Sequence, residues 1–211
     1  MPTVAPPAKT PPPVTRPPDL LAALLGLVIP GLGQVYQGRV AKGVLFFVCI
    51  YTLFFYGMYL GSGTVTVDGT TYTVTGNVYL PKTARKNNAL NLPEFAADLY
   101  NRPHYLGQFW AGLVAWPALW HYFTDDDRAV RGDSFLSNYE REPSDTALNA
   151  LHTTGDKRLE LGWVYTVIAG VLNILVIYDA LAGPAFLLAS GGEAAGDQQP
   201  GGQPSRREAV A

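Results

Sequence analysis

The sequence predicts an all-α integral membrane protein with three or four transmembrane or re-entrant helices and a small extramembrane β-hairpin. Composition is the first observation behind this. Hydrophobic residues make up 48% of the 211-residue chain and charged ones 15%, against about 25% charged in an average soluble domain. The charge is also segregated. Val44–Leu60, Tyr105–Phe123 and Leu161–Ala182 together contain one carboxylate, Asp179, and one imidazole, His121. Such runs, 17 to 22 residues long, match what a helix needs to cross roughly 30 Å of hydrocarbon. The third observation is an alternation of apolar and polar residues from Thr64 to Val74 about Asp68-Gly69, which is the signature of a two-stranded hairpin.

Residues 1–18 hold Pro2, Pro6, Pro7, Pro11, Pro12, Pro13, Pro17 and Pro18. Such a composition favours extended, solvated backbone and buries no core. A disordered tail is expected there, and another at 191–211, rich in Gly, Gln and Pro. Between them lies a helical membrane domain, residues 19–190, with hydrophobic segments at 20–36, 43–60, 105–123 and 161–182 and extramembrane loops at 61–104 and 124–160.

The first apolar run, Leu20–Ile29, has ten residues and as a helix would reach only about halfway through the hydrocarbon. It either continues past Pro30 or re-enters. A signal peptide is the rival reading, disfavoured by the prolines before the run and by Pro30-Gly31-Leu32-Gly33 as a cleavage site. The second run follows Arg39 and Lys42, whose stems can lie along apolar surface while their charged heads reach lipid phosphates.

In the 61–104 loop, a two-residue turn would place Val65, Val67, Tyr72 and Val74 on one face. A short helix is expected at Pro93–Tyr100. In the third run Pro117 should kink the helix, and Gly107, Ala111 and Ala115 form a small-residue stripe that lets a neighbouring helix approach. The loop 124–160 predicts an amphipathic helix at Ser144–Leu151, and Gly183-Pro184 ends the last run. Asp179 does not forbid insertion of that run. Its eleven Leu, Ile and Val residues favour insertion by roughly 3 to 7 kcal/mol, whereas one central Asp costs about 2.5 to 3.5.

Basic residues near the segment ends are Arg39, Lys42, Arg102, Arg128, Arg131, Lys157 and Arg158. By the positive-inside rule loop 124–160 is cytoplasmic together with Arg39 and Lys42, and 61–104 is outside. The amino-terminal tail is outside if the first run crosses and cytoplasmic if it re-enters.

Residues able to do chemistry are sparse. His104, His121 and His152 lack metal-ligand spacing, Asp125–Asp127 suit a solvated helix end, and Arg131-Gly132-Asp133 matches an adhesion tripeptide by chance. There is no nucleophile elbow, phosphate-cradling glycine loop or paired catalytic carboxylate. No catalytic, metal-binding or cofactor-binding residue is therefore expected, and no enzyme. Net charge −2 gives no footprint for nucleic acid. Cys49 stands alone, so no intrachain disulfide forms. Two polar residues interrupt the last run: Asn173, on a stripe with Gly162, Thr166 and Gly170 that should face another helix, and Asp179, which this topology would pair with Arg102 or His104.

The most specific local motif is Pro30-Gly31-Leu32-Gly33-Gln34-Val35-Tyr36-Gln37-Gly38-Arg39-Val40-Ala41-Lys42-Gly43. Proline ends the first helix, glycines permit tight reversal, Tyr36 suits the interface, and Arg39 and Lys42 anchor to headgroups. The segment resembles the helical-hairpin motif of the small two-helix transmembrane domain family and related bacterial families. A second segment, Glu160–Ala180 with Gly183-Pro184, is similar to the carboxy-terminal helix of an uncharacterised domain-of-unknown-function family of planctomycete bacteria. The resemblances imply a multi-pass protein of a bacterial cytoplasmic membrane. They supply no activity, and the Asp-Arg-Phe signature of some two-helix members is missing, so a receptor-like role is not implied.

The expected role is a structural or interaction component of that membrane. Its partners would be the lipid bilayer and other membrane helices, those of its own copies in a homo-oligomer included. The alternative is a small transporter or channel subunit that uses Asn173 and Asp179.

Overall fold

A computed structural model describes residues 18–67, 69–82, 93–124, 138–153 and 157–182. All of the expected 1–18 tail except Pro18, the expected tail at 191–211, Asp125–Asp127, Arg131–Asp133 and Gly183-Pro184 lie outside the described residues. Along the chain come α1 (Leu20–Val28), α2 (Leu32–Tyr36), α3 (Val40–Leu60), β1 (Ser62–Val67), β2 (Thr70–Thr75), α4 (Glu94–Asn101), α5 (His104–Phe109), α6 (Pro117–Thr124), α7 (Asp145–Thr153) and α8 (Arg158–Ala182). The described chain is mostly helical, with one two-stranded antiparallel sheet.

Two of the helices, α3 and α8, are long and apolar enough to cross a bilayer. They run antiparallel. Lys42 at the start of α3 meets Asp179 near the end of α8, and Gly57 meets Gly162 at the opposite end. That second meeting is a backbone contact, because a Cβ on Gly57 would lie 2.8 Å from the Gly162 carbonyl oxygen and one on Gly162 2.7 Å from that of Gly57. Glycine is needed at both positions for the helices to touch. Two ends of the frame are thus defined: an Asp179 end and a Gly57–Gly162 end.

The first apolar run folds back on itself. α1 enters from the Asp179 end, where the Asp19 N–H donates to the Leu181 carbonyl at 3.0 Å. It runs beside α8 and stops at Ile29-Pro30, since proline has no N–H with which to continue. Gly31, in the left-handed region at φ 83°, starts α2, which returns to the end it came from. Gly31 also lies so close to Gly43 that any Cβ would collide with that backbone. The run thus ends as two short helices folded back on each other, not as one helix continued past Pro30.

The third run departs from expectation more sharply. Tyr105–Phe123 is not one kinked helix but a second hairpin, entering from the Gly57–Gly162 end. α5 packs along α8, where a Cβ on Gly170 would strike the Gly107 carbonyl. The helix ends at Phe109, Gly112 turns the chain at φ 84°, and Pro117 starts α6 where the sequence suggested a kink. A proline at the first helical position loses no bond, because that N–H would be unpaired in any case.

The irregular turn at 110–116 keeps its polar backbone paired. Tyr105 Oη donates to the Ala115 carbonyl at 2.9 Å, Tyr139 Oη to that of Val114 at 2.7 Å, and Trp116 Nε1 to that of Phe109 at 3.3 Å. Irregular backbone inside a bundle needs such partners.

At the Gly57–Gly162 end the chain builds a cap. Strands β1 and β2 pair with Val67 opposite Thr70, and Gly69 takes a positive φ of 78° in the two-residue turn. Val65 and Val74 are buried against Ala147, Ala150 and Leu151 of α7; the side chains of Val67 and Tyr72 lie outside the described residues. α4 begins after Pro93, and α7 is capped by Ser144, whose Oγ accepts the Ala147 N–H at 3.2 Å. The sheet and α7 therefore pack at one end of the frame, whereas the sequence-based topology put loops 61–104 and 124–160 on opposite sides of a membrane.

Candidate functional site

Of the two polar residues of the last run, Asp179 meets the Pro30–Gly43 motif. Asp179 pairs with Arg39 NH2 and Lys42 Nζ, both at 2.7 Å, and not with Arg102 or His104, which lie toward the other end. Gln34, fully buried, donates from Nε2 to Asp179 Oδ2 at 3.2 Å and to the Val176 carbonyl at 2.8 Å. Gln37 Nε2 donates to the Ala180 carbonyl at 2.7 Å and to Asp19 Oδ2 at 3.2 Å, while Asp19 Oδ1 caps α1 through the Ala22 N–H.

The motif's glycines serve contact. A Cβ on Gly33 would collide with the Ala22 carbonyl, and one on Gly43 would lie 2.6 Å from the Gly31 oxygen. Gly38 turns the chain at φ 79°, and Tyr36 is exposed. The result is a clamp in which the first hairpin, the start of α3 and the end of α8 converge on one carboxylate. Asp19 and Asp179 balance Arg39 and Lys42 in formal charge.

Deeper in the bundle, Asn173 joins the two hairpins. Its Nδ2 donates to the Gly26 carbonyl of α1 at 3.0 Å and to the Trp110 carbonyl, just beyond α5, at 2.8 Å. Both are carbonyls near a helix carboxy terminus, where the last turn has no partner of its own. A backbone bond from the Leu113 N–H to the Val28 carbonyl, 2.9 Å, ties the same two tips. Asn173 is fully buried, and its Oδ1 has no hydrogen-bond partner.

Toward the cap, Gln108 Nε2 donates to Thr166 Oγ1 at 2.8 Å and to the Asn77 carbonyl at 2.9 Å. Asn77 Nδ2 donates to the Gly57 carbonyl at 2.8 Å. Arg102 NH2 donates to the Gly76 and Asn77 carbonyls, and its guanidinium lies 3.4 Å from the centre of the Tyr79 ring. Burial lowers the Arg102 pKa from its ordinary value, and Tyr79 and Glu142 oppose that shift.

Sequence reading missed Gln34, Gln108 and Asn77, since an isolated amide in an apolar run carries no signal of which carbonyl it will meet. It also passed over Glu140. That carboxyl is fully buried, accepts the Ala118 N–H at 3.0 Å, and sits on a backbone of positive φ, 54°. Among the described residues no group of three or more His, Cys, Asp or Glu side chains could hold a metal ion.

Residues 21–193 match the model of a family of unknown function. No curated protein matches the chain, and no solved structure does.

Proposed function

From the premise that the chain belongs to the family of unknown function DUF6677, we propose that it is a non-catalytic, multi-pass integral protein of a bacterial cytoplasmic membrane that serves as a structural or interaction component. α3 and α8 cross the bilayer, and the two hairpins enter it from opposite sides and meet near Asn173. The observation that carries the membrane reading is what these helices leave uncovered. Only 28% and 33% of their most apolar stretches are buried. Leu45, Val48, Leu172, Leu175 and Tyr178 stay exposed, on helices too apolar for a face turned to water. Lipid tails would cover that surface. Two apolar helices alone are weak support, since core helices share their composition, but a core helix would be covered.

The interaction role is supported by how the polar groups are used. Asp179 is engaged by two cations and the Asn173 amide by two carbonyls, so both residues that could build a transport path make structural bonds. Outward, α3 presents an apolar groove lined by Phe47, Val48, Tyr51, Thr52, Phe55 and Tyr56, whose chemistry suits a helix of another chain or of a second copy.

A transporter or channel subunit is the second reading, supported by two broken hairpins of opposite entry and by the unpaired Asn173 Oδ1. Reconstitution separates the two. The interaction role predicts no ion or solute flux in liposomes and a stable co-purifying membrane protein or homo-oligomer. Flux abolished by D179N would overturn it in favour of transport. Recovery of the chain in the supernatant after detergent-free lysis and high-speed sedimentation would remove the membrane reading itself.

A further inference from the structure

The segment 138–142 connects the cap to the second hairpin, and Glu140 is its innermost side chain. No part of Glu140 is exposed. Oε2 accepts the Ala118 N–H in the first turn of α6, and Oε1 has no hydrogen-bond partner within bonding geometry. The groups facing it can be named element by element. Tyr105 of α5 and Tyr139 of its own segment lie beside it, and Tyr51 of α3 stands behind Tyr139. The Tyr105 and Tyr139 hydroxyls already donate to the Ala115 and Val114 carbonyls. Glu142, two residues on, accepts the Lys82 N–H. No ion pair to Glu140 is present among the described residues.

We propose that Glu140 is a proton-binding site: a neutral carboxylic acid that latches the cap onto the second hairpin, and whose loss of the proton releases that latch. Two effects compete over the charged form. The amino terminus of α6 and the Ala118 N–H favour a carboxylate. Complete burial with no cation disfavours it far more, because one peptide dipole cannot replace the water that a carboxylate loses. Burial accordingly moves the Glu140 pKa well above the ordinary carboxylate range, against smaller opposing effects from Ala118 and Tyr139.

The backbone is consistent with an imposed position. Glu140 is the one non-glycine residue at positive φ among the described residues, and surrounding contacts must hold such a conformation. Once ionised, the side chain gains by reaching water. The way out is for segment 138–142 to withdraw from Val114 and Ala118. The chain then exchanges one proton with solvent and makes or breaks no covalent bond other than the carboxyl O–H.

Three of the chain's four tryptophans, Trp110, Trp116 and Trp120, lie on the second hairpin, so intrinsic fluorescence reports on it. The full chain in detergent micelles is titrated from acid to alkaline pH while tryptophan emission and the infrared absorption of protonated carboxyl groups are recorded. Expected is a reversible emission change centred well above the ordinary carboxylate range, as burial without a cation dictates. The protonated-carboxyl absorption should disappear in step with it. In E140Q, isosteric with the protonated acid, both changes should vanish, and the emission should match that of the wild-type chain at low pH throughout. An emission change that persists in E140Q overturns the proposal. So does a wild-type spectrum without a protonated carboxyl at neutral pH, a result that needs no variant to fold.

Discussion

Truncating Asn173 to alanine tests the meeting of the two hairpins directly. Its amide donates to two carbonyls from elements more than 60 residues distant in sequence. Alanine leaves both acceptors buried with no replacement water. Interhelical hydrogen bonds in membrane proteins average about 0.6 kcal/mol and reach about 1.7, so losing two should cost about 1 to 3 kcal/mol. The fully buried site adds a small cavity, which places the effect toward the upper half. The folded-to-unfolded ratio should thus fall by roughly 30- to 150-fold. N173D should be worse, because it presents carboxylate oxygens to carbonyl oxygens. The assay is equilibrium unfolding in mixed micelles of increasing denaturing-detergent fraction, followed by tryptophan emission. N173A unfolding within about 0.3 kcal/mol of the wild-type chain would mean that Asn173 does not join the hairpins.

G162L should prevent α3 and α8 from closing, because even a Cβ at Gly162 falls 2.6 Å from the Gly61 nitrogen; a cysteine pair placed across that contact should then lose its crosslink. D179N should destabilise modestly, by about 0.5 to 1.5 kcal/mol, since the Asp179 side chain is 25% exposed and partly exposed ion pairs are screened; urea or detergent midpoints that fall further would require a more buried clamp. Single cysteines in 61–82 and in 145–153, in a C49S background, should react with an impermeant reagent from the same side of the membrane, and one at Gly38 from the other; labelling of 61–82 and 145–153 from opposite sides would break the two-hairpin arrangement. Stability should fall with rising pH, because the folded chain holds the Glu140 proton more tightly than the unfolded one. The contribution is complete below the ordinary glutamate value of about 4.3 and is lost as pH climbs through the folded pKa, by up to about 1.4 kcal/mol per unit; E140Q unfolding curves should lack this dependence.

How much of this was legible depends on whether a residue's partner is local. The β-hairpin was, because Asp68-Gly69 and the alternation beside it specify turn and register within a dozen residues. So were α4 and α7, whose boundaries follow from Pro93 and from Ser144 as a cap. The stripe of Gly162, Thr166, Gly170 and Asn173 was legible as a face, since helical spacing determines it, and all four are buried. What each meets was not. Asn173 was expected to face another helix and does, donating to Gly26 of α1 and to Trp110 just beyond α5, but which carbonyls it meets is set by chain segments far away in sequence.

The four apolar runs make the same point about topology. Length distinguished the first run, too short to cross, from the second and fourth, which form single helices. It failed for the third, where 19 residues were enough for one helix and form two. A run spans when its backbone has nowhere else to find hydrogen bonds; it can turn back when side chains supply them. Here Tyr105, Tyr139 and Asn173 supply three of the turn's carbonyl partners, and two of those side chains lie outside the run. Gly112 and Pro117 only make the reversal possible. In the proposed membrane arrangement a third run that turns back leaves its two flanking loops on one side, where a charge count that assumed a crossing assigns them to opposite ones. The Asp179 ion pairs follow from the same geometry. With the cap gathered at one end, Arg102 and His104 are removed from Asp179, and the first hairpin delivers Arg39 and Lys42 in their place.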